Sequence, residues 1–179
     1  MRVVLIGYRG SGKSVVGRLV ADRLGLAFVD TDLEIESRGG RSIAEIFAED
    51  GEAGFRQHER EVIADLSRRR AVVIAAGGGA VLDPDTRADW TAADTLVVWL
   101  TATPEELARR ISGDETTADR RPSLTGQSVL EEITEVLQHR ESLYRDCQRL
   151  TIDTTGRTIE DVADETVAAI MHADPGQED

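Results

Sequence analysis

Asparagine is absent from the chain, and lysine and cysteine each occur once among 179 residues. The single cysteine, Cys147, excludes an internal disulfide and fits a reducing compartment, where a packed thiol is the plain reading. His58, His139 and His172 are scattered at no metal-ligand spacing, which argues against a zinc site. No apolar run approaches the roughly 20 residues that a membrane helix needs. The apolar start RVVLIG lacks the layout of a signal peptide. We therefore expect a cytoplasmic protein that does not engage a membrane. The formal charge is −13, and no dense basic stripe offsets it. The arginine triplet at 68–70 is short and reads as a solvated helix end, so nucleic acid is not an expected partner. An acidic protein binds anions only in a locally positive pocket. The informative question is where its twenty arginines gather.

The length suits one domain, 1–179, with a frayed tail at 173–179, and a monomer is expected. Apolar runs at 2–6, 26–30, 71–76, 95–100 and 149–153 read as strands. Helical patterns fall between them, at 13–25, 31–37, 42–49, 52–70, 103–111 and 127–147, and a last one comes at 158–171. Apolar strands alternating with helices predict an α/β fold, a five-stranded parallel sheet flanked by helices. Two segments interrupt the alternation. Residues 31–60 insert several helices, and the polar, glycine-flanked stretch 112–126 carries two adjacent arginines and reads as a lid.

The stretch GYRGSGKS comes directly after the first strand and opens a helix. Gly7, Gly12, Lys13 and Ser14 complete the phosphate-loop pattern, with a further glycine at 10. Glycines let backbone N–H groups turn inward around a phosphate, and the helix N-terminus adds partial positive charge. Lys13 is suited to the β/γ-phosphates and Ser14 to Mg²⁺. The only lysine stands where a slim, flexible point charge is needed rather than a broad guanidinium. A GTPase would read guanine with Asn-Lys-x-Asp, which a chain without asparagine cannot supply, so ATP is the expected nucleotide.

Asp30 and Asp32 lie at the carboxyl end of the second strand, the edge where open α/β sheets bind ligands. One could serve a metal and the other a substrate hydroxyl; alternatively Asp30 or Thr31 caps the next helix. Arg56 and Glu59 share a helix face, as an orienting pair or as a surface ion pair. The triplet Gly77, Gly78, Gly79 comes after the third strand and permits close backbone approach, or merely ends the strand.

Taken in order, GYRGSGKS, FVDTDLEIESRGGRSIAEIF, GEAGFRQHE, GGG, RRPSLTG and HRESLY resemble the shikimate kinase family over about residues 2–165. The resemblance implies a P-loop fold of the nucleoside-monophosphate-kinase type, with 31–60 as an acceptor-binding insertion and 112–126 as the lid. It implies ATP and shikimate as substrates, Mg²⁺ as cofactor, and transfer to the 3-hydroxyl. ATP would be held by Gly10, Ser11, Gly12, Lys13, Ser14 and Val15, with Arg110 and Arg157 around adenine. Asp30 would hold Mg²⁺ beside Ser14. Asp32 would bind substrate hydroxyls and serve as base. Arg56 and Arg140 would pair with the carboxylate, Gly78 and Gly79 would contact substrate, and Arg121 would swing in on the lid as a catalytic cation with Lys13. Two alanines precede the glycine triplet where the family often carries Ser or Thr. A gluconate kinase of the same fold is one rival reading, against which the glycine triplet and the Arg56/Arg140 pair argue; the other is a nucleotide-sensing module without catalysis, which would need neither a carboxylate-reading arginine pair nor an arginine-bearing lid.

Overall fold

The alternation of strands and helices is realised in a computed structural model that describes residues 1–91, 94–113 and 128–173. Five parallel strands, β1 Arg2–Ile6, β2 Ala27–Asp30, β3 Val72–Ala75, β4 Thr95–Thr101 and β5 Leu150–Asp153, lie in the order β2-β3-β1-β4-β5. The helices are α1 Lys13–Leu24, α2 Thr31–Gly39, α3 Ile43–Leu66, α4 Pro84–Trp90, α5 Pro104–Ser112, α6 Val129–Cys147 and α7 Ile159–Ala173. No described helix is long and apolar enough to cross a membrane.

The period-2 pleat explains why the central strands are apolar throughout. Val3 and Leu5 of β1 join one core with Val98 and Leu100 of β4, under α1 and α7. Val4 and Ile6 join the opposite core with Val97 and Trp99, under α2, α3, α4 and α6. Both indole residues pack as the sequence suggests, Trp90 and Trp99 being buried with Cys147 in that second core. β2 is an edge strand and stays half exposed although its sequence is apolar.

Three local features differ from the sequence reading. The helices expected at 42–49 and 52–70 join into one, α3, kinked at Gly51, whose φ of 69° and ψ of −175° are outside the helical range. The helix stops at Leu66, so the arginine triplet trails after it, with the Arg68 side chain 81% exposed. A short helix, α4, is present where none is expected. Asp83 caps it by accepting from the Thr86 N–H at 2.7 Å, and Pro84 supplies the first turn.

The strand order decides which loops can share a site. β1 lies between β3 and β4, and β3 lies between β1 and β2. The loops leaving the carboxyl ends of β1, β3 and β2 are therefore neighbours, although they lie dozens of residues apart in sequence.

Candidate active site

The phosphate loop leaves β1 with three glycines at positive φ: Gly7 at 141°, Gly10 at 80° and Gly12 at 92°. Residues with a Cβ rarely adopt such values, and the turn opens directly into α1. Lys13 is nearly buried, and its Nζ donates to the carbonyls of Gly7 at 2.9 Å and Tyr8 at 2.8 Å. Ser11 is buried, whereas Val15 is 51% exposed on the first turn of α1.

Asp30 bears out the capping reading and also faces the phosphate loop. Its Oδ1 accepts from the N–H groups of Asp32 and Leu33 and caps α2. Its Oδ2 accepts from Ser14 Oγ at 2.5 Å. One carboxylate thus starts a helix and faces the phosphate loop. These two hard oxygens, one carboxylate and one hydroxyl, are the donor types that suit Mg²⁺ alongside phosphate oxygens. Among the described residues no three His, Cys, Asp or Glu side chains converge, so a dedicated all-protein cage is not present there.

The glycine triplet is the hub of a second cluster. At Gly77 a Cβ would stand 2.6 Å from Glu59 Oε1 and 3.0 Å from Asp32 Oδ1. At Gly78 it would stand 3.3 Å from Arg9 N and Gly7 O of the phosphate loop. At Gly79 it would stand 2.5 Å from both terminal nitrogens of Arg56. Each glycine is needed for space, and each for a different neighbour. The triplet is also tethered. The Gly77 N–H donates to Thr31 Oγ1 at 2.9 Å, and Thr31 is fully buried. The Gly78 carbonyl accepts from Arg140 Nη1 at 3.0 Å and from Tyr144 Oη at 2.6 Å.

Arg56 and Glu59 are not a surface pair. Glu59 is 3% exposed, and its Oε2 accepts from Arg56 Nη1 at 2.5 Å. Glu52 adds a longer contact at 3.3 Å, and the guanidinium lies over the Phe55 ring. Burial works against the Arg56 charge, but Glu59 and Glu52 outweigh it and hold the pKa above the ordinary arginine value. Arg56 is therefore a fixed cation between a buried carboxylate and Gly79.

The two arginines expected near adenine meet at the turn after β5. Arg110 on α5 donates to Gly10 O at 3.2 Å, to Thr154 Oγ1 at 3.0 Å and to Thr154 O at 2.6 Å. Arg157 is bonded to Glu165, Asp153 O and Asp161 O, and its own N–H donates to Thr154 O. Glu106, bonded by Arg109 and also by Arg110, is held well below the carboxylate range, at about 2. Arg121 and nearly all of 112–126 lie outside the described residues.

Sequence reasoning missed three members. Thr31 reads only as a candidate helix cap, yet it supplies the hydroxyl for the triplet that the two alanines before it lack. Tyr144 lies four residues beyond Arg140 on α6, and helical register would have put both on one face. Arg9, in the phosphate loop, pairs with Glu132 on α6 at 3.0 Å. A cavity of about 500 Å³ is bordered by Trp99, Leu107 and Leu137 and touches Tyr8 and Ser11. Its described lining includes none of Asp32, Arg56, Gly78 or Arg140, so it is not the acceptor cluster.

Comparison with known proteins shows the family and the fold. A family model described as shikimate kinase matches residues 9–171. A shikimate kinase from Rhodopirellula baltica is 48% identical over 165 residues, 92% of this chain and 88% of that protein. The solved shikimate kinase from Acinetobacter baumannii in complex with shikimate superposes with a TM-score of 0.89 at 33% identity, covering 97% of this chain and 94% of that one. A gluconokinase from Sinorhizobium meliloti shares the fold alone, with a TM-score of 0.60 at 18% identity, covering 96% and 92%.

Proposed function

The chain belongs to the shikimate kinase family, and from that premise we propose that the cluster around Gly77–Gly79 is the acceptor site and the β1–α1 loop the ATP site. The reaction is ATP-dependent phosphorylation of the 3-hydroxyl of shikimate to shikimate 3-phosphate, a step of aromatic amino-acid biosynthesis. One observation carries the site assignment. Asp32, Arg56 and Arg140, from three separated segments, meet at one glycine triplet that also abuts the phosphate loop.

Within that reading, Arg56 and Arg140 bind the substrate carboxylate through guanidinium forks. Asp32, on the first turn of α2, binds the hydroxyls and orients or deprotonates the attacking one. Gly78 and Gly79 admit the ring because nothing projects from them. Lys13 neutralises the β/γ-phosphates, and Gly10, Ser11, Gly12, Ser14 and Val15 form the rest of the phosphate loop. Arg110 and Arg157 line the adenine end, and Arg121 comes in from the lid at 112–126. Ser14 and Asp30 hold Mg²⁺, which when bound with ATP supplies further charge neutralisation at the transferring phosphoryl group. Catalysis then rests on positioning and electrostatics more than on the base. We also infer a cytoplasmic monomer that engages neither nucleic acid nor membrane; the −13 charge argues against nucleic acid.

The test is turnover by the purified chain with MgATP and a panel of hydroxy acids, and then by Arg56→Lys. The Lys variant keeps a cation beside Glu59 and removes the fork. Shikimate should be phosphorylated, and the variant should raise the shikimate KM by about tenfold or more, while the ATP KM stays within about twofold. Equal losses for both substrates would overturn the acceptor-site assignment.

A further inference from the structure

The Gly78 carbonyl accepts two donors, and only one of them, Arg140, has a part in holding the acceptor carboxylate. The other is the hydroxyl of Tyr144, at 2.6 Å. Both side chains leave α6 one turn apart, so they lie on one face. Tyr144 is 1% exposed and its ring stacks on Trp99 at 5.6 Å between centroids, so its position is set by the core. The Arg140 guanidinium and the Tyr144 hydroxyl therefore converge as donors on one carbonyl oxygen, where the Arg140 charge also acts on the phenol. Gly78 is confined on its other side by Arg9 N and Gly7 O. A phenylalanine would fill the same space and stack on the same indole, yet it would leave the Gly78 carbonyl to Arg140 alone.

From this geometry we propose that Tyr144 is a positioning residue of the acceptor site. Its hydroxyl fixes the Gly78 backbone and the Arg140 guanidinium in one relation, so the backbone contact and the carboxylate contact reach the acceptor together. This rests on Arg140 being a carboxylate ligand. Burial pushes the phenol pKa up to about 12, the nearby Arg140 charge acting in the opposite direction, so the hydroxyl remains a donor across the working pH range. Without it, Arg140 alone would satisfy the Gly78 carbonyl, and turning toward a carboxylate would leave that buried acceptor unpaired.

The test is Tyr144→Phe, assayed with shikimate and with its primary amide, which lacks the carboxylate charge. The shikimate KM should rise about tenfold, as expected for losing one buried hydrogen bond, with the ATP KM within about twofold. The penalty on the amide should shrink to about threefold or less. A similar penalty on both acceptors, a raised ATP KM, or an unchanged shikimate KM would overturn the proposal. If Tyr144→Phe melts far below the parent, both acceptors are assayed at a lower temperature at which circular dichroism shows the variant folded. The shikimate KM should still rise selectively, and an unchanged value counts against the proposal. Arg140→Ala separates the two readings. If it leaves the shikimate KM unchanged, the carboxylate assignment fails. If it raises that KM while Tyr144→Phe does not, only the positioning role fails.

Discussion

Two glycine-rich loops lie side by side at the carboxyl edge of the sheet, and they use glycine for opposite reasons. In the phosphate loop Gly7, Gly10 and Gly12 all have positive φ. In the triplet none of the three does; a Cβ would strike a side chain at Gly77 and Gly79 and crowd the phosphate-loop backbone at Gly78. The first loop is shaped from within, by dihedral angles that only glycine adopts easily. The second is shaped from outside, by Thr31 on its N–H, Tyr144 and Arg140 on its carbonyl, and Arg56 and Glu59 against its faces. A loop that wraps phosphate needs a fixed backbone curve. A loop that admits a ring acid needs empty space whose walls carry the charge.

On the proposed reading the largest effect should come from Lys13, the side chain that the phosphate loop would bring to the transferring group. Lys13→Met should lower kcat by about 10²–10³, the usual cost of losing a preorganised charge at the transition state, with the fold retained. Lys13→Arg should be nearly as damaging, because the broad guanidinium must enter a space where Nζ now lies within 2.9 Å of two carbonyls. Steady-state kinetics with circular dichroism on the same samples checks both. An active Lys13→Arg would show that the backbone curve, not the shape of the cation, is what the loop demands.

Next in size is Gly7→Ala. Its Cβ would lie 2.3 Å from the Leu100 carbonyl, a backbone atom, at a φ of 141°. Strain and overlap together should cost about 3 kcal/mol or more of stability, measured by urea unfolding. Gly79→Ala is the contrasting case. There the Cβ meets only the end of a flexible side chain, 2.5 Å away. Stability should change by less than about 1 kcal/mol, while the displaced Arg56 raises the shikimate KM about tenfold. If Gly79→Ala unfolds the protein and Gly7→Ala does not, the contrast between the two loops is wrong.

The same contrast explains what could be read from the sequence. The phosphate loop is contiguous, and its glycine, lysine and serine spacing states its function locally. The central strands β1, β3 and β4 were legible for a related reason, since both pleat faces are buried and leave continuous apolar runs. The acceptor cluster is not local. Asp32, Arg56 and Arg140 were assigned through resemblance, because nothing in their own neighbourhoods says that they meet. Glu59 looked like half of a surface pair until α3 turned it inward, to 3% exposure. What each glycine of the triplet avoids depends on side chains from three other segments, so the triplet announces close approach without saying to what. Tyr144 lies inside the stretch HRESLY, where register sets it on one face with Arg140, but register does not reveal its partner, a backbone carbonyl 66 residues away. The helix at Pro84–Trp90 was missed although Asp-Pro is a start signal, because seven residues are too few to show a period.

A loop that holds its own shape should need little support, and the brace on the phosphate loop allows the smallest test. Glu106 fixes Arg110, which in turn bonds the Gly10 carbonyl. The folded pKa of Glu106 is about 2 against an ordinary 4.5, chiefly through Arg109 and then Arg110. A carboxylate depressed in this way contributes stability above pH about 4.5 that is lost as the pH falls through about 2. Glu106→Gln should therefore flatten the acid limb of the stability curve. Because the pair is near solvent and screened, the melting temperature at pH 7 should fall only slightly, and the ATP KM should stay within about threefold. A large rise in the ATP KM would mean that the phosphate loop, like the triplet, is held from outside. Glycine dihedrals would then not be enough to define it.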